Sequence, residues 1–332
     1  MIDLVALRSL QAIGIHGSVV GAAAALGYSP SAISQQIKRL EKHLGVPVLE
    51  KFGRGIMLTE AGRRLAEQGA SLLADVELLE SGVQSADAEP VGLVRIAAHS
   101  TACRGLVAPL LAKLAVAGSA VRVRLIEHDP WDSIELVATG QMDLAIVHDW
   151  NTVPLRIPAH LETVNLCDDV ADLLVHRDHS LAARPTVTPK DLVDERWVST
   201  MAGSICHDWL MRMFADIGAD PDVAYYDSEF ATHIALVQHG VAVGLLPRLG
   251  RPALPGSVVA VPVVDPVPTR NIQLIWRRTM GQSPAIRHLV TVLRSLATPP
   301  ANANANANAN ANANANATNA TNATNAADTH HP

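Results

Sequence analysis

Apolar residues at Leu4, Leu7, Leu10 and Ile13 recur at helical spacing, and the same step returns at Ile33, Ile37, Leu40 and Leu44. Each series predicts an amphipathic helix with one buried stripe. Between them, Val19 to Leu26 is a short run of small residues, with alanine at every position from Ala22 to Ala25. Ser18 is placed to cap this run, and Gly27 supplies the left-handed conformation that ends it. Ser29 then caps the next helix with Pro30 at its first position, where a missing N–H costs nothing. Two short apolar runs around Phe52-Gly53-Arg54-Gly55 predict a hairpin with an arginine at its tip.

Thr59 opens a long helix expected to run to about Ser85. Leu65, Leu72 and Leu79 repeat every seven residues in it, with Gly69, Val76 and Val83 filling the seam, a coiled-coil pattern about three heptads long. No neighbouring helical stretch stands ready to cover that seam, so a homodimer is expected, with Leu65, Leu72, Val76 and Leu79 at its interface.

After a linker at Asp87 to Gly92 the period changes. Strands are expected at Leu93 to Ala98, Val121 to Ile126 and Leu144 to Val147; Leu161 to Leu166 then leads into a second set, with strands at Ala171 to Val175, Trp197 to Ser199, Val223 to Tyr226, Val241 to Leu245 and Asn271 to Trp276. Helices are expected from about Ala102 to Val116, from a Ser133 cap to Ala138, from Ile205 to Ile217, from a Ser228 cap through Phe230 to Gln238, and from Pro284 to Leu296. Alternation of this kind predicts an open, largely parallel sheet. The terminal Ala-Asn repeat from Ala301 to the end has no apolar face to bury and is read as a low-complexity disordered tail.

Length and charge narrow the functional classes. The 332 residues suffice for two or more domains, and a net charge of −6 excludes a chain coated in basic residues. The balance is uneven: Met1 to Arg64 carries eight Lys/Arg against four Asp/Glu, so a cationic front precedes an acidic remainder, as when one module alone touches phosphate. Three widely spaced cysteines (Cys103, Cys167, Cys206) fit reduced thiols. No apolar run approaches the ~20 residues that cross a bilayer. Met1-Ile-Asp-Leu4 lacks a basic region before an apolar stretch, so a cytoplasmic chain is expected.

The polar face of the second amphipathic helix carries short hydroxyls and an amide (Ser31, Ser34, Gln35) beside cations (Lys38, Arg39, Lys42). Such groups suit base edges and phosphates. The alternative is a helical hairpin with a solvated charged face. What surrounds the hairpin adds a resemblance. Ala22-Ala23, Ser29-x-Ser-Ala-Ile-Ser34, Ile37, Leu40-Glu41, Leu44-Gly-Val-Pro47, Arg54 and Leu58-Thr-Glu-Ala-Gly62 resemble the winged helix-turn-helix of the LysR-type transcriptional regulators. Pro30 stands where that family commonly has glutamine, so no operator preference carries over. The resemblance implies contacts to DNA from Pro30, Ser31, Ser34, Gln35, Lys38, Arg39 and Lys42, with Arg54 entering the minor groove. Dimer symmetry would match a dyad-symmetric promoter site, bound by a dimer or a dimer of dimers. RNA polymerase is a further candidate partner.

Gly92-Leu-Val-Arg-Ile-Ala97, Met142-Asp-Leu-Ala-Ile-Val147, Gly240-Val-Ala-Val-Gly-Leu-Leu-Pro247 and Ile275-Trp-Arg277 are similar to phrases of the same family's effector-binding region. The implied organisation is a winged helix-turn-helix domain (1–58), a linker and dimerisation helix (59–88), and an α/β, periplasmic-binding-protein-like effector domain (91–300). The effector domain would divide into subdomain I (91–166 with 267–300) and subdomain II (167–266), with a cleft between them.

Hydroxyls at three predicted helix starts face that cleft on the implied fold: Ser100 and Thr101, then Ser199, Thr200 and Ser204, then Ser228. With the free N–H groups of helix N-termini they favour a small carboxylate-bearing effector. Each residue taken alone is more often only an ordinary cap. His148 and Asp149 end a strand toward the same region. His176-Arg-Asp-His179 has ligand-like spacing, but the family phrase there is a loop, so a turn is expected rather than a metal site. Cys206 lies near the cleft without a second cysteine close in sequence, which disfavours redox sensing. No catalytic constellation or cofactor motif is readable. A solute-binding protein or enzyme on the same two-subdomain fold remains the alternative function.

Overall fold

The computed structural model describes residues 1–53, 55–83 and 89–297. The amino-terminal unit is helical: α1 (Leu4–His16), α2 (Val19–Leu26) and α3 (Pro30–Leu44), followed by the wing strands β1 (Leu49–Phe52) and β2 (Gly55–Leu58) and the long α4 (Glu60–Val83). The local chemistry acts as expected. Ser18 Oγ accepts from the Gly21 N–H and Ser29 Oγ from the Ala32 N–H, while Gly27 adopts φ +71°. Caps of this kind contribute about 0.5–2 kcal/mol each. Ile33, Ile37 and Leu40 of α3 are buried with Leu10 and Ile13 of α1 and Ala22 and Ala23 of α2. The Glu41 carboxylate accepts from the N–H groups of Val48 and Leu49 at 2.9 and 3.3 Å, tying the wing to α3.

The seam of α4 is not left uncovered along its length, contrary to expectation. Leu65 and Ala66 join the amino-terminal core, and a Cβ on Gly69 would stand 2.5 Å from the Leu7 side chain, so α1 occupies this part of the seam. Leu72 and Leu79 are exposed at 46% and 70%. The side chain of Val83 and the tip residue Arg54 lie outside the described residues, as does the Ala-Asn tail.

The second unit is α/β. Its strands are β3 (Gly92–Ala98), β4 (Val121–Glu127), β5 (Leu144–His148), β6 (Leu161–His176), β7 (Arg196–Ser199), β8 (Asp222–Tyr226), β9 (Gly244–Pro247), β10 (Val258–Pro262) and β11 (Thr269–Arg277). Its helices are α5 (Ser100–Ala102), which continues through a π-helical turn (Cys103–Val107) into α6 (Ala108–Val116), then α7 (Pro130–Ala138), α8 (Ile205–Ala215), α9 (Phe230–Gln238) and α10 (Pro284–Ala297). One sheet runs in the order β10-β6-β11-β5-β3-β4 with β9 also on β6, and β7 pairs β8 separately.

This sheet is mixed, not largely parallel. Only β3 with β4, β3 with β5, and β7 with β8 run parallel, whereas β6 is antiparallel to β9, β10 and β11. The run at 161–166 and the strand expected at 171–175 are one 16-residue strand. Its first half pairs β11 and its second half pairs β9 and β10, so it carries the chain from one half of the unit to the other. The acidic residues in the middle of this strand are stabilised at long range: Asp169 pairs Arg270, and Asp172 pairs Arg248 and Arg251. Strand β10 was not expected.

Separate apolar cores lie on either side of this crossing. One packs β3, β5 and β11 against α6 and α10, and another packs Leu173, Val175 and Trp197 against Trp209, Met213 and Phe214 of α8. The amino-terminal unit touches the α/β unit directly, His16 Nε2 lying 2.6 Å from Gln141 Oε1. Among the described residues no single helix is long and apolar enough to cross a membrane.

Candidate functional site

Two candidate sites result, one on α3 and one in the cleft of the α/β unit. On α3 the buried stripe turns the opposite face outward. Pro30, Ser31, Gln35, Lys38, Arg39 and Lys42 are exposed, and Ser34 is half-buried. Ser34 Oγ–H donates to the Pro30 carbonyl at 2.9 Å, so what it offers a base edge is an acceptor lone pair. Ser31 Oγ lies 2.9 Å from Ser29 Oγ, which keeps it beside the helix N-terminus.

The cleft is a cavity of about 310 Å³ where helix starts from both halves converge. Ser100, Thr101, Thr200, Ser204, Ser228 and His148 line it. Several roles nevertheless differ from expectation. Ser199 lies behind the cavity, against an adjoining small pocket, with Oγ 3.3 Å from His207 Nδ1. Thr101 Oγ1 already accepts from Arg270 at 2.7 Å, and the Thr200 and Ser204 hydroxyls bond each other at 2.7 Å. Asp129, not Ser133, caps α7, and Ser133 is buried inside that helix. Glu229, not Ser228, is the cap residue of α9, with its N–H bonded to Asp227 Oδ1.

Sequence reasoning missed the charged and aromatic members of the lining: His99, Glu127, His128, Asp129, Trp131 and Arg270. Arg270 is 1% exposed and donates to Asp169 at 2.8 and 3.0 Å, so its charge is matched from within the protein. Asp129 reaches across the cleft, accepting from the Trp131 N–H of its own helix at 3.3 Å and the Ile205 N–H of α8 at 3.4 Å. Burial outweighs these bonds and pushes its carboxyl above the usual range. On the cavity floor the His99 and His148 rings lie 4.4 Å apart, and Trp150 and Trp209 continue the row into the core around α8. Burial, then the neighbouring positive charge of Arg270, hold His99 well below the usual histidine range. No such pairing was readable, because His99, His148 and Arg270 are far apart in sequence.

The remaining candidates have structural partners. His179 Nε2 meets Glu195 Oε2 at 3.1 Å, and no group of three or more metal-ligating residues occurs among the described residues. Burial pushes the Cys206 thiol up, and the Cys103 thiol is pushed up to about 11.

Comparison with known proteins follows this geometry. Residues 4–63 match the family described as bacterial regulatory helix-turn-helix protein, lysR family, and residues 87–298 match the LysR substrate binding domain. A hydrogen peroxide-inducible genes activator of Dickeya chrysanthemi is 28% identical over 273 residues, covering 82% of this chain and 88% of that one. The uncharacterized HTH-type transcriptional regulator YbhD of Escherichia coli (strain K12) is 25% identical over 297 residues, 89% and 92% of the two chains. Among solved structures, a full-length OxyR variant from Pseudomonas aeruginosa superposes with a TM-score of 0.66 at 20% identity, covering 91% of this chain and 96% of that one. Full-length CbnR complexed with its target DNA superposes at 0.54 and 22% identity, covering 89% and 99%.

Proposed function

Since the chain belongs to the LysR family of DNA-binding transcriptional regulators, with a helix-turn-helix domain and an effector-binding domain, and is not an enzyme, we propose that it binds a dyad-symmetric promoter site as a dimer or dimer of dimers. The dimer forms through Leu72, Val76 and Leu79 of α4. Ser31, Ser34 and Gln35 read base edges, Lys38, Arg39 and Lys42 hold phosphates, and Arg54 enters the minor groove. Residues 1–58, 59–88 and 91–300 act as DNA-binding, dimerising and sensing segments in the cytoplasm. RNA polymerase is the partner to which the bound dimer would present itself.

The second site takes a small carboxylate-bearing effector in the cleft. Helix N-terminal N–H groups near Ser100 and Cys206, with the Ser204 and Ser228 hydroxyls, support an anion there. An effector altering the cleft would bias the placement of the DNA-binding pairs, a coupling between two sites.

The observation that carries the DNA reading is α3 itself, with Ile33, Ile37 and Leu40 buried and Ser31, Gln35, Lys38, Arg39 and Lys42 exposed on the opposite face. Fluorescence anisotropy of the full chain with fragments of its own upstream region, against random duplex of equal length, tests it. Equal affinity for both at 150 mM salt rejects sequence-specific reading.

A further inference from the structure

The charges around the cleft leave an anionic ligand without a cation. Glu127, Asp129 and Asp132 border the cavity. The one Arg or Lys lining it among the described residues, Arg270, is engaged with Asp169 and Thr101. His99 is different. It is 7% exposed, it faces the cavity, and neither ring nitrogen has a hydrogen-bond partner within the protein. A neutral imidazole carries one N–H and one lone pair, and leaving either buried and unmet costs about 1–3 kcal/mol. Its neighbour His148 has already committed Nδ1–H to the Asp149 carbonyl at 3.2 Å.

Resting on the proposal that a carboxylate occupies the cleft, we infer that the effector binds together with one proton, which His99 holds as an imidazolium paired with the ligand carboxylate. An N–H bond forms at the lone-pair nitrogen of His99. The proton arrives from solvent when the ligand enters as carboxylate, or from the ligand O–H when it enters as the acid, and no bond to carbon changes. The incoming negative charge is thereby neutralised inside a site already bordered by three carboxylates.

The surroundings of His99 set the empty state. Arg270 on β11 and Arg104 on the π-helical turn oppose a charge there, and burial opposes it most. His148 on β5, 4.4 Å away, makes a second imidazolium unfavourable. Glu127 at the end of β4, His128 and Asp129 just after it, Asp132 on α7 and Cys206 on α8 complete the ionisable groups of the wall. Asp169 on β6 lies behind Arg270. A carboxylate beside His99 adds the missing opposite charge and raises the pKa of the imidazole. Between the low value of the empty site and the raised value of the complex, binding takes up a proton, so affinity falls as pH rises.

The experiment uses the full chain and a series of monocarboxylates from acetate to benzoate, ranked by thermal shift. The tightest is titrated calorimetrically from pH 6 to 8 in buffers of differing ionisation enthalpy. The expected result is a Kd that rises about tenfold per pH unit, with close to one proton taken up. The His99→Gln variant should bind without pH dependence, and the matching carboxamide should show no slope on the unmodified protein. Should that variant not fold, the imidazole NMR signals of the unmodified protein decide: a new imidazolium at pH 7.5 on ligand addition supports the assignment. Tight carboxylate binding without proton uptake overturns the inference and leaves the carboxylate reading standing. Proton uptake that persists in His99→Gln also overturns it. No response to any monocarboxylate removes the carboxylate reading and the inference together.

Discussion

Asp129 and Ile205 join the two lips of the cleft in the α/β unit: the carboxylate that caps α7 also accepts from the first N–H of α8 at 3.4 Å. A residue of the protein therefore already places negative charge at one helix N-terminus of the opposite half. Its raised pKa means that ionised Asp129 is less favourable in the folded chain than in the unfolded one. The stability linked to it is fully present below the unfolded carboxylate range and is lost as pH rises through the folded value. Asp129→Asn should therefore show a Tm at least equal to the unmodified protein at pH 7, with the difference shrinking or reversing as pH falls toward 4. Differential scanning calorimetry between pH 4 and 8 checks this.

The α3 face separates two kinds of contact. Ser34→Ala should cost about 1–3 kcal/mol on the cognate site and little on random duplex. Arg39→Ala and Arg54→Ala should weaken both equally and reduce the salt slope by about 1 each. Anisotropy titrations across a salt series distinguish these patterns, and a uniform loss for Ser34→Ala would remove its base-reading role.

Exposure divides the α4 seam into a packed part and an open part. Leu72 and Leu79 point outward, so Leu72→Asp with Leu79→Asp should yield monomers that retain helicity. Leu65→Ala removes a side chain packed on the amino-terminal core and should lower stability by about 2 kcal/mol or more, with the oligomer less affected. Sedimentation velocity and thermal melts of the two variants should give opposite results.

The described thiols are poorly suited to reaction with peroxide. Burial pushes the Cys103 thiol up to about 11, and raises those of Cys167 and Cys206 as well. A thiol with a pKa of about 11 is thiolate to only about one part in ten thousand at pH 7. Hydrogen peroxide at micromolar levels should leave DNA affinity unchanged, and intact mass should show no added oxygen or disulfide within minutes.

The buried Arg270–Asp169 pair supports both the cleft and the crossing strand β6. Arg270→Ala would leave Asp169 uncompensated in the interior and should cost about 3–5 kcal/mol. Chemical denaturation checks the size. Arg270→Lys should recover only part of it, since an ammonium lacks the planar fork by which Nε and Nη2 of the guanidinium both donate to Asp169.

The sequence by itself determined the elements whose causes lie within a few residues. Ser18, Gly27, Ser29 and Pro30 mark helix ends because caps and left-handed turns are local, and the stripe at Ile33, Ile37 and Leu40 dictates which face of α3 looks outward. Tertiary structure alone decided the rest. Asp168, Asp169 and Asp172 lie within one continuous strand, β6, because Asn271, Arg270, Arg248 and Arg251 satisfy them from distant segments. Asp129 became a cleft residue, and His99 a buried base without a partner, only when separated segments were folded against each other. Burial and charge compensation depend on distance in space, and spacing along the chain does not encode that.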